Sequence, residues 1–293
     1  MRVLGWFVGV AILASLPLGA QSPGGLLVFE RDRGGNMDIY SVTIDGGVEK
    51  RLTNHPAQDA LPRFSPDGRS VIFSSQRTGE WQIFEMPATG GPAKPLRSNA
   101  HREWQADLSV KGALAFLSNL GGGDALYVQS PGGKVRELAR HSGPRTVILG
   151  NPNWSPDGGR VVFSSNQGLA GHRAFVVDAG GGEAKRVTPL TSGACEPRFS
   201  RDGRRVVYVR RQHLSRERSQ IVEQNLDDGG ERVLVDWAAL NYDPVFSHDG
   251  SELAFASTIA GEFAIYRLRL ADGKSWRVSQ GPGIARHPDY QRQ

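Results

Sequence analysis

Cysteine is almost missing from this 293-residue chain: Cys195 stands alone. One thiol closes no internal disulfide, and no cysteine spacing suits a bound metal. A strong charge of one sign is missing too. The 35 basic and 30 acidic residues leave +5, spread along the chain, which gives no nucleic-acid-binding surface. The chain also lacks a G-x-S-x-G nucleophile elbow, an H-E-x-x-H zinc pair, a P-loop and a dinucleotide fingerprint. Each is the local device its chemistry needs, so hydrolase, metalloprotease and nucleotide chemistry have no visible machinery. No convincing amphipathic helix occurs after the first residues.

Long apolar runs are confined to one place. Arg2 precedes an apolar stretch from Val3 to Leu16, Pro17 breaks it, and Leu18-Gly19-Ala20 offers small residues before Gln21. The run falls short of the ~20 residues that span a bilayer. It predicts a cleavable signal peptide over 1–20 and a periplasmic or secreted chain with no membrane span in its mature part. Residues 21–293 then form one domain.

What is abundant is glycine, at 37 residues, and repetition. Pro62-Arg63-Phe64-Ser65-Pro66-Asp67-Gly68 recurs at Pro152–Gly158, Pro197–Gly203 and Pro244–Gly250, with a worn copy at Ala106–Gly112 and a truncated one at Pro288-Asp289-Tyr290. The copies start 44, 46, 45, 47 and 44 residues apart. A period of this size marks a repeat architecture. Asp-Gly tolerates the backbone of a tight hairpin turn, and Pro suits the first residue of a strand or an edge strand. An apolar run such as Ser70-Val71-Ile72-Phe73 follows each turn as a second strand. Third strands are predicted near 81–87, 125–129, 174–178, 220–225 and 264–270. Four strands per repeat predict an all-β, six-bladed propeller with four-stranded antiparallel blades.

The two ends complete that count. Leu27-Val28-Phe29, Arg33-Gly34-Gly35 and Ile39-Tyr40 match Val71-Ile72-Phe73, Arg77-Thr78-Gly79 and Ile83-Phe84 at an offset of 44 residues. The mature chain therefore starts on a second strand. Pro288-Asp289-Tyr290 supplies the missing innermost strand, and both termini build the last blade.

The P-x-(F/W)-S-x-D-G and R-x-G-x-x-x-I-(Y/F) copies resemble the repeats of the TolB-like β-propeller family, over essentially the whole mature chain. The resemblance implies a six-bladed propeller in the periplasm or outside the cell. TolB carries an α/β domain ahead of its propeller. Blade sequence here begins a few residues after the predicted signal, so the expectation is a propeller alone.

Residues repeated in every blade read as structure: Asp67, Asp157, Asp202 and Asp249 as turn residues, and Phe64, Trp154, Phe199 and Phe246 as packing. The informative positions are those that vary. The residue before each motif is Leu61, Gln105, Asn151, Glu196, Asp243 or His287, and the one after its first position is Arg63, Asp107, Asn153, Arg198, Val245 or Asp289. Both sets are expected to ring one mouth of the central channel. The candidate binding site is Arg63, Asp107, Glu196, Arg198, Asp243 and His287, with Arg198 or Arg63 offsetting the two close carboxylates Glu196 and Asp243. Carboxylates converging on an axis suit calcium or another divalent cation, while arginine suits a carboxylate-bearing partner. A long hairpin with Arg210, Arg211, Arg216 and Arg218 is a second candidate patch, fit for an acidic partner or anionic headgroups. His55, His101 and His141 fall between blades in no metal pattern.

Two functions follow. One is a non-enzymatic, monomeric scaffold that needs no cofactor and binds a cell-envelope protein or peptide. The other is a propeller that binds or cleaves an acidic oligosaccharide at the channel, as related propellers do through metal-bound His and Gln. His287 and Gln105 are the residues of those types at the ring.

Overall fold

The structure, a computed structural model, describes residues 25–97, 99–140, 149–166, 171–190, 193–211 and 217–292. The signal peptide predicted over 1–20, His141 and Arg216 lie outside these residues. Every regular element among them is a strand, in six sheets of four antiparallel strands. Blades 1 to 5 follow chain order. Their innermost strands are Asp59–Phe64, Glu103–Leu108, Leu149–Trp154, Gly193–Phe199 and Asn241–Phe246. Blade 6 places Ala285–Tyr290 innermost, against Leu26–Asp32, then Met37–Thr43 and Lys50–Arg51. The two ends of the described chain thus close one sheet, with Leu27 opposite Tyr290 and Arg31 opposite Ala285.

The core lies between blades. Val28 and Ile39 of blade 6 pack with Phe64, Phe73 and Phe84 of blade 1, all buried. The apolar run on the second strand has a partner on the third. Phe29–Tyr40, Phe73–Phe84, Phe116–Tyr127, Phe163–Phe175 and Phe255–Tyr266 pair across strands with ring centroids 5.8–6.1 Å apart. Such pairs contribute about 0.5–1.5 kcal/mol each beyond area burial. The arginine of the second motif completes the unit. Arg77 stacks over Phe84 at 4.7 Å and donates to both oxygens of Asp59, at 2.9 and 3.0 Å. Arg33 lies 4.9 Å from the Tyr40 ring.

The Ser-x-Asp-Gly part of the first motif is a turn. Ser65 and Ser247 donate through Oγ to Asp67 and Asp249 at 2.6 Å, and the Gly68 N–H donates to the Ser65 carbonyl at 2.9 Å. The left-handed φ of Gly68, +67°, is one that glycine adopts without strain.

The proline sits on an edge strand, since the innermost strand ends each sheet, but it does not open that strand: the innermost strands begin before it, and it lies within a β-bulge. The register slips at every inner strand, for example between Ala60 and Arg63 and between Tyr242 and Val245. At the slip, Leu61, Gln105, Asn151, Glu196, Asp243 and His287 have φ of 50–58°. These are six non-glycine residues in the left-handed region, one per blade, each an uncommon and strained conformation.

Candidate functional site

At five of the six bulges the backbone N–H turns away from its own sheet, and a neighbouring blade satisfies it. Glu196 accepts from the Asp243 N–H at 2.6 Å, Asp243 from the His287 N–H at 3.1 Å, and Gln105 from the Asn151 N–H at 2.9 Å. Where the preceding bulge residue is not the acceptor, the second strand supplies one. Glu30 accepts from the Leu61 N–H at 2.7 Å, and Ser74, at the matching position of blade 1, accepts from the Gln105 N–H at 3.1 Å. The varied positions are therefore a chain of blade-to-blade bonds around the channel.

On blades 4 to 6 this layer is also charged. Arg286 donates to Asp243 through Nε at 2.9 Å and Nη2 at 3.0 Å, and to Glu196 at 3.2 Å. Its guanidinium lies 5.1 Å from the Tyr242 and Phe263 rings. His287 sits between Glu30, 2.8 Å from Nδ1, and Asp243, 3.1 Å from Nε2. Burial opposes charge on every one of these groups, but neighbours decide the outcome. Burial and the adjacent Asp243 charge push Glu196 up to about 8. Arg286 and His287 outweigh burial at Asp243 and hold it below the usual carboxylate range. His287 likewise outweighs burial at Glu30, which is lowered. Asp243 and Glu30 in turn raise His287 above its ordinary value. The pair Glu196 and Asp243 titrates as a unit, with the proton held by Glu196.

These shifts give a pH dependence. The unfolded chain releases the Glu196 proton near pH 4.5, whereas the folded one keeps it to about 8. Between those values folding takes up a proton, so stability falls as pH rises. His287 adds to the decline, because its contribution is complete below its unfolded value of 6.5 and is lost as pH rises through the raised folded one. Asp243 and Glu30 act only at the acid end, where their contribution is lost as pH falls through their lowered values. Denaturant unfolding across pH 5 to 8 is expected to show declining stability. Glu196→Gln, which keeps an acceptor for the Asp243 N–H but cannot ionise, should flatten part of that decline. A parent whose stability is flat or rises over this range would contradict the assignment.

The other sequence candidates lie in a second layer, two residues further along each strand toward the Asp-Gly turns. Asp107 accepts from the Trp154 N–H at 2.8 Å and Asn153 Nδ2 at 2.9 Å, Asn153 from the Phe199 N–H at 2.9 Å, and Asp289 from the Phe64 N–H at 2.8 Å. Arg198 is 3.9 Å from Asp289, and Arg292 is 3.7 Å from Asp107. Burial raises both carboxyls, against the pull of Arg63 and Arg292. The single ring expected from the sequence is thus two layers. Glu196, Asp243 and His287 come together in one, and Arg63, Asp107 and Arg198 belong to the other. The cation that offsets Glu196 and Asp243 is Arg286, not Arg198 or Arg63.

Above the second layer is a cavity of ≈ 310 Å³ at the mouth of the channel. Arg198, Arg201, Arg292 and His248 line it together with Trp154, Phe199, Phe246 and Tyr290, and Asp289 is the carboxylate in its wall. Three of the four aromatics expected only to pack therefore also form its surface, while Phe64 is fully buried. The sequence reading missed Glu30, Arg286, Arg201 and Arg292. Of the hairpin patch, Arg210 pairs with Glu231 at 3.2 Å and Arg218 with Asp236 at 2.8 Å, so both charges are answered within blade 4. Arg211 has no ion pair with a described residue.

Glu196, Asp243 and His287 offer one ligand atom each within 4.8 Å of one another. Arg286 already supplies positive charge to both carboxylates there, and Asp243 spends its oxygens on Arg286 and His287. Gln105 is bound to Asn151.

Six four-stranded blades around a charged axial channel, closed by pairing the first described strand with the last, define a β-propeller. The family model of the TolB beta propeller domain matches residues 18–138. An uncharacterised protein of Agrobacterium fabrum is 34% identical over 140 residues, covering 43% of this chain and 46% of that protein. A TolB homolog of Chlorobium luteolum is 27% identical over 165 residues, covering 55% of this chain and 36% of the homolog. The chain thus spans less than half the length of these relatives. The crystal structure of TolB from Acinetobacter baumannii superposes with a TM-score of 0.79 at 18% identity, over 92% of this chain and 67% of that one. The chain is a six-bladed β-propeller, and its first half is similar to the TolB beta propeller domain.

Proposed function

We propose that this propeller is a non-enzymatic scaffold of the cell envelope, periplasmic or secreted, which receives an acidic segment of a partner protein at the mouth of its channel. The observation that carries this reading is the make-up of the cavity: three arginines against one carboxylate, on aromatic walls. Arginine on a largely apolar surface suits carboxylate side chains of a peptide. The Glu196–Asp243–Arg286–His287 layer lies outside the cavity lining and serves closure of the ring. Arg286 does there what a divalent cation would do, so the scaffold needs no cofactor. The oligosaccharide reading is weaker, because Gln105 and His287, the residues it would use, are committed to neighbouring blades. Among the described residues no helix is long and apolar enough to cross a membrane.

A pull-down from envelope extract tests this. The parent is expected to retain one stoichiometric protein, and an Arg201→Glu/His248→Glu variant to lose it. Both side chains are exposed, so the variant should fold normally. A parent that retains nothing, or a variant that retains the same protein, contradicts the proposal.

A further inference from the structure

We propose a second binding element beside the mouth: the groove between blades 2 and 3 takes an acidic, apolar stretch of the same partner peptide. This rests on the reading of the mouth as an acidic peptide's site. The groove encloses ≈ 560 Å³, with Val128, Pro131 and Trp154 in its floor and Lys111, Lys134 and Arg136 around it. Trp154 is the wall it shares with the mouth cavity. Two turns also straddle both hollows, with Val110 and Pro156 facing the mouth and the nearby Lys111 and Gly158 facing the groove. An extended chain leaving the mouth past the turns at 110–111 and 156–158 therefore reaches the groove.

The charge is unanswered. Lys111 and Lys134 are exposed and Arg136 is half-buried, and none of the three forms an ion pair with a described residue. The neighbouring Glu137 is taken by Arg140 at 2.7 Å. Asp157 feels Lys111, but its Oδ1 is held by Ser155 Oγ at 2.5 Å and the Gly159 N–H at 3.0 Å. Two of the cations are positioned by close contacts. The Lys111 stem lies against Gly158, where a Cβ would meet it at 3.4 Å. Arg136 reaches across to blade 3, where a Cβ on Gly181 would stand 3.0 Å from its Nη1. Three cations over an apolar floor match a peptide that alternates acidic and apolar side chains. A sugar chain would need a floor of hydrogen-bonding groups, and Ser130 is the neutral hydroxyl in the lining.

The test uses random peptides displayed on phage, selected on the full chain and then measured against three variants. The groove variant is Lys111→Glu/Lys134→Glu/Arg136→Glu. The charge control is Lys50→Glu/Lys94→Glu/Lys274→Glu, all exposed on other blades. The mouth variant is Arg201→Glu/His248→Glu. Selected peptides are expected to be rich in Asp, Glu and large apolar residues, and to bind the groove variant at least roughly tenfold more weakly, with the charge control little changed. Peptides weakened by the mouth variant alone would overturn the groove and leave the mouth reading standing. Peptides without acidic enrichment, or equally weakened by groove variant and control, would overturn the proposal. So would an acidic galacturonate oligomer that binds the groove where no peptide does.

Discussion

Replacing Asp243 with alanine is expected to destabilise the fold by about 3 kcal/mol or more, the lower part of the range for breaking a buried ion pair. The side chain is 1% exposed, accepts from Arg286 twice and from the His287 N–H, and lies 3.1 Å from His287 Nε2. Alanine would leave Arg286 with Glu196 alone and the bulge N–H of blade 6 without an acceptor. Glu196 can ionise once its neighbour's charge is gone, which limits the loss. Asp243→Asn, which restores shape and an acceptor but not charge, should fall between the two. Urea unfolding of the three proteins is the measurement. If the alanine variant unfolds at the parent's midpoint, the inner layer does not hold the ring. The sequence alone marks Glu196 and Asp243 as binding-site carboxylates, because it shows neither the bulge nor the bond each acid makes to the next blade.

Ending the chain at residue 284 is expected to abolish cooperative folding. It removes the innermost strand of blade 6, Ala285–Tyr290, and with it the pairing to Leu26–Asp32. Buried Tyr290 alone would lose about 3–5 kcal/mol if truncated to alanine. Blade 1 loses contacts too. The Phe64 N–H loses Asp289, and the Gly68 carbonyl loses Gln291 Nε2, a 2.9 Å bond. The end of the described chain is seated tightly enough there that a Cβ on Gly68 would fall 2.0 Å from the Arg292 carbonyl oxygen. An opened ring also exposes an unpaired strand edge, which invites aggregation. A soluble truncated protein melting within a degree or two of the full chain would refute closure by both ends.

Local chemistry made the blades legible. Asp-Gly demands a turn, the apolar run after it demands a strand, and the offset between Leu27-Val28-Phe29 and Val71-Ile72-Phe73 placed the shared blade. The bulge left no such trace, because a left-handed φ at Leu61 or Glu196 is imposed by two strands slipping past each other. That slip explains the split site. Two residues along a strand are separated by about 6.6 Å, so Arg198 stands one layer above Glu196, where its guanidinium lies 3.9 Å from Asp289 instead. Arg286 can reach Glu196, because it precedes the bulge of blade 6 and turns in toward blade 5, a relation set by ring closure rather than by spacing. The mouth cavity draws on residues from all six blades, from Pro66 to Arg292, whose neighbourhood no single repeat shows.

The claim that the mouth receives the partner while the inner layer holds the ring is tested most directly by hydrogen–deuterium exchange of the parent, with and without the protein it retains from envelope extract. Protection is expected at the Asp-Gly turns, residues 156–158, 201–203 and 247–250, and at 110–112. Protection confined to the hairpins at the other end of the blades, residues 76–81, 119–124 and 258–263, would contradict it.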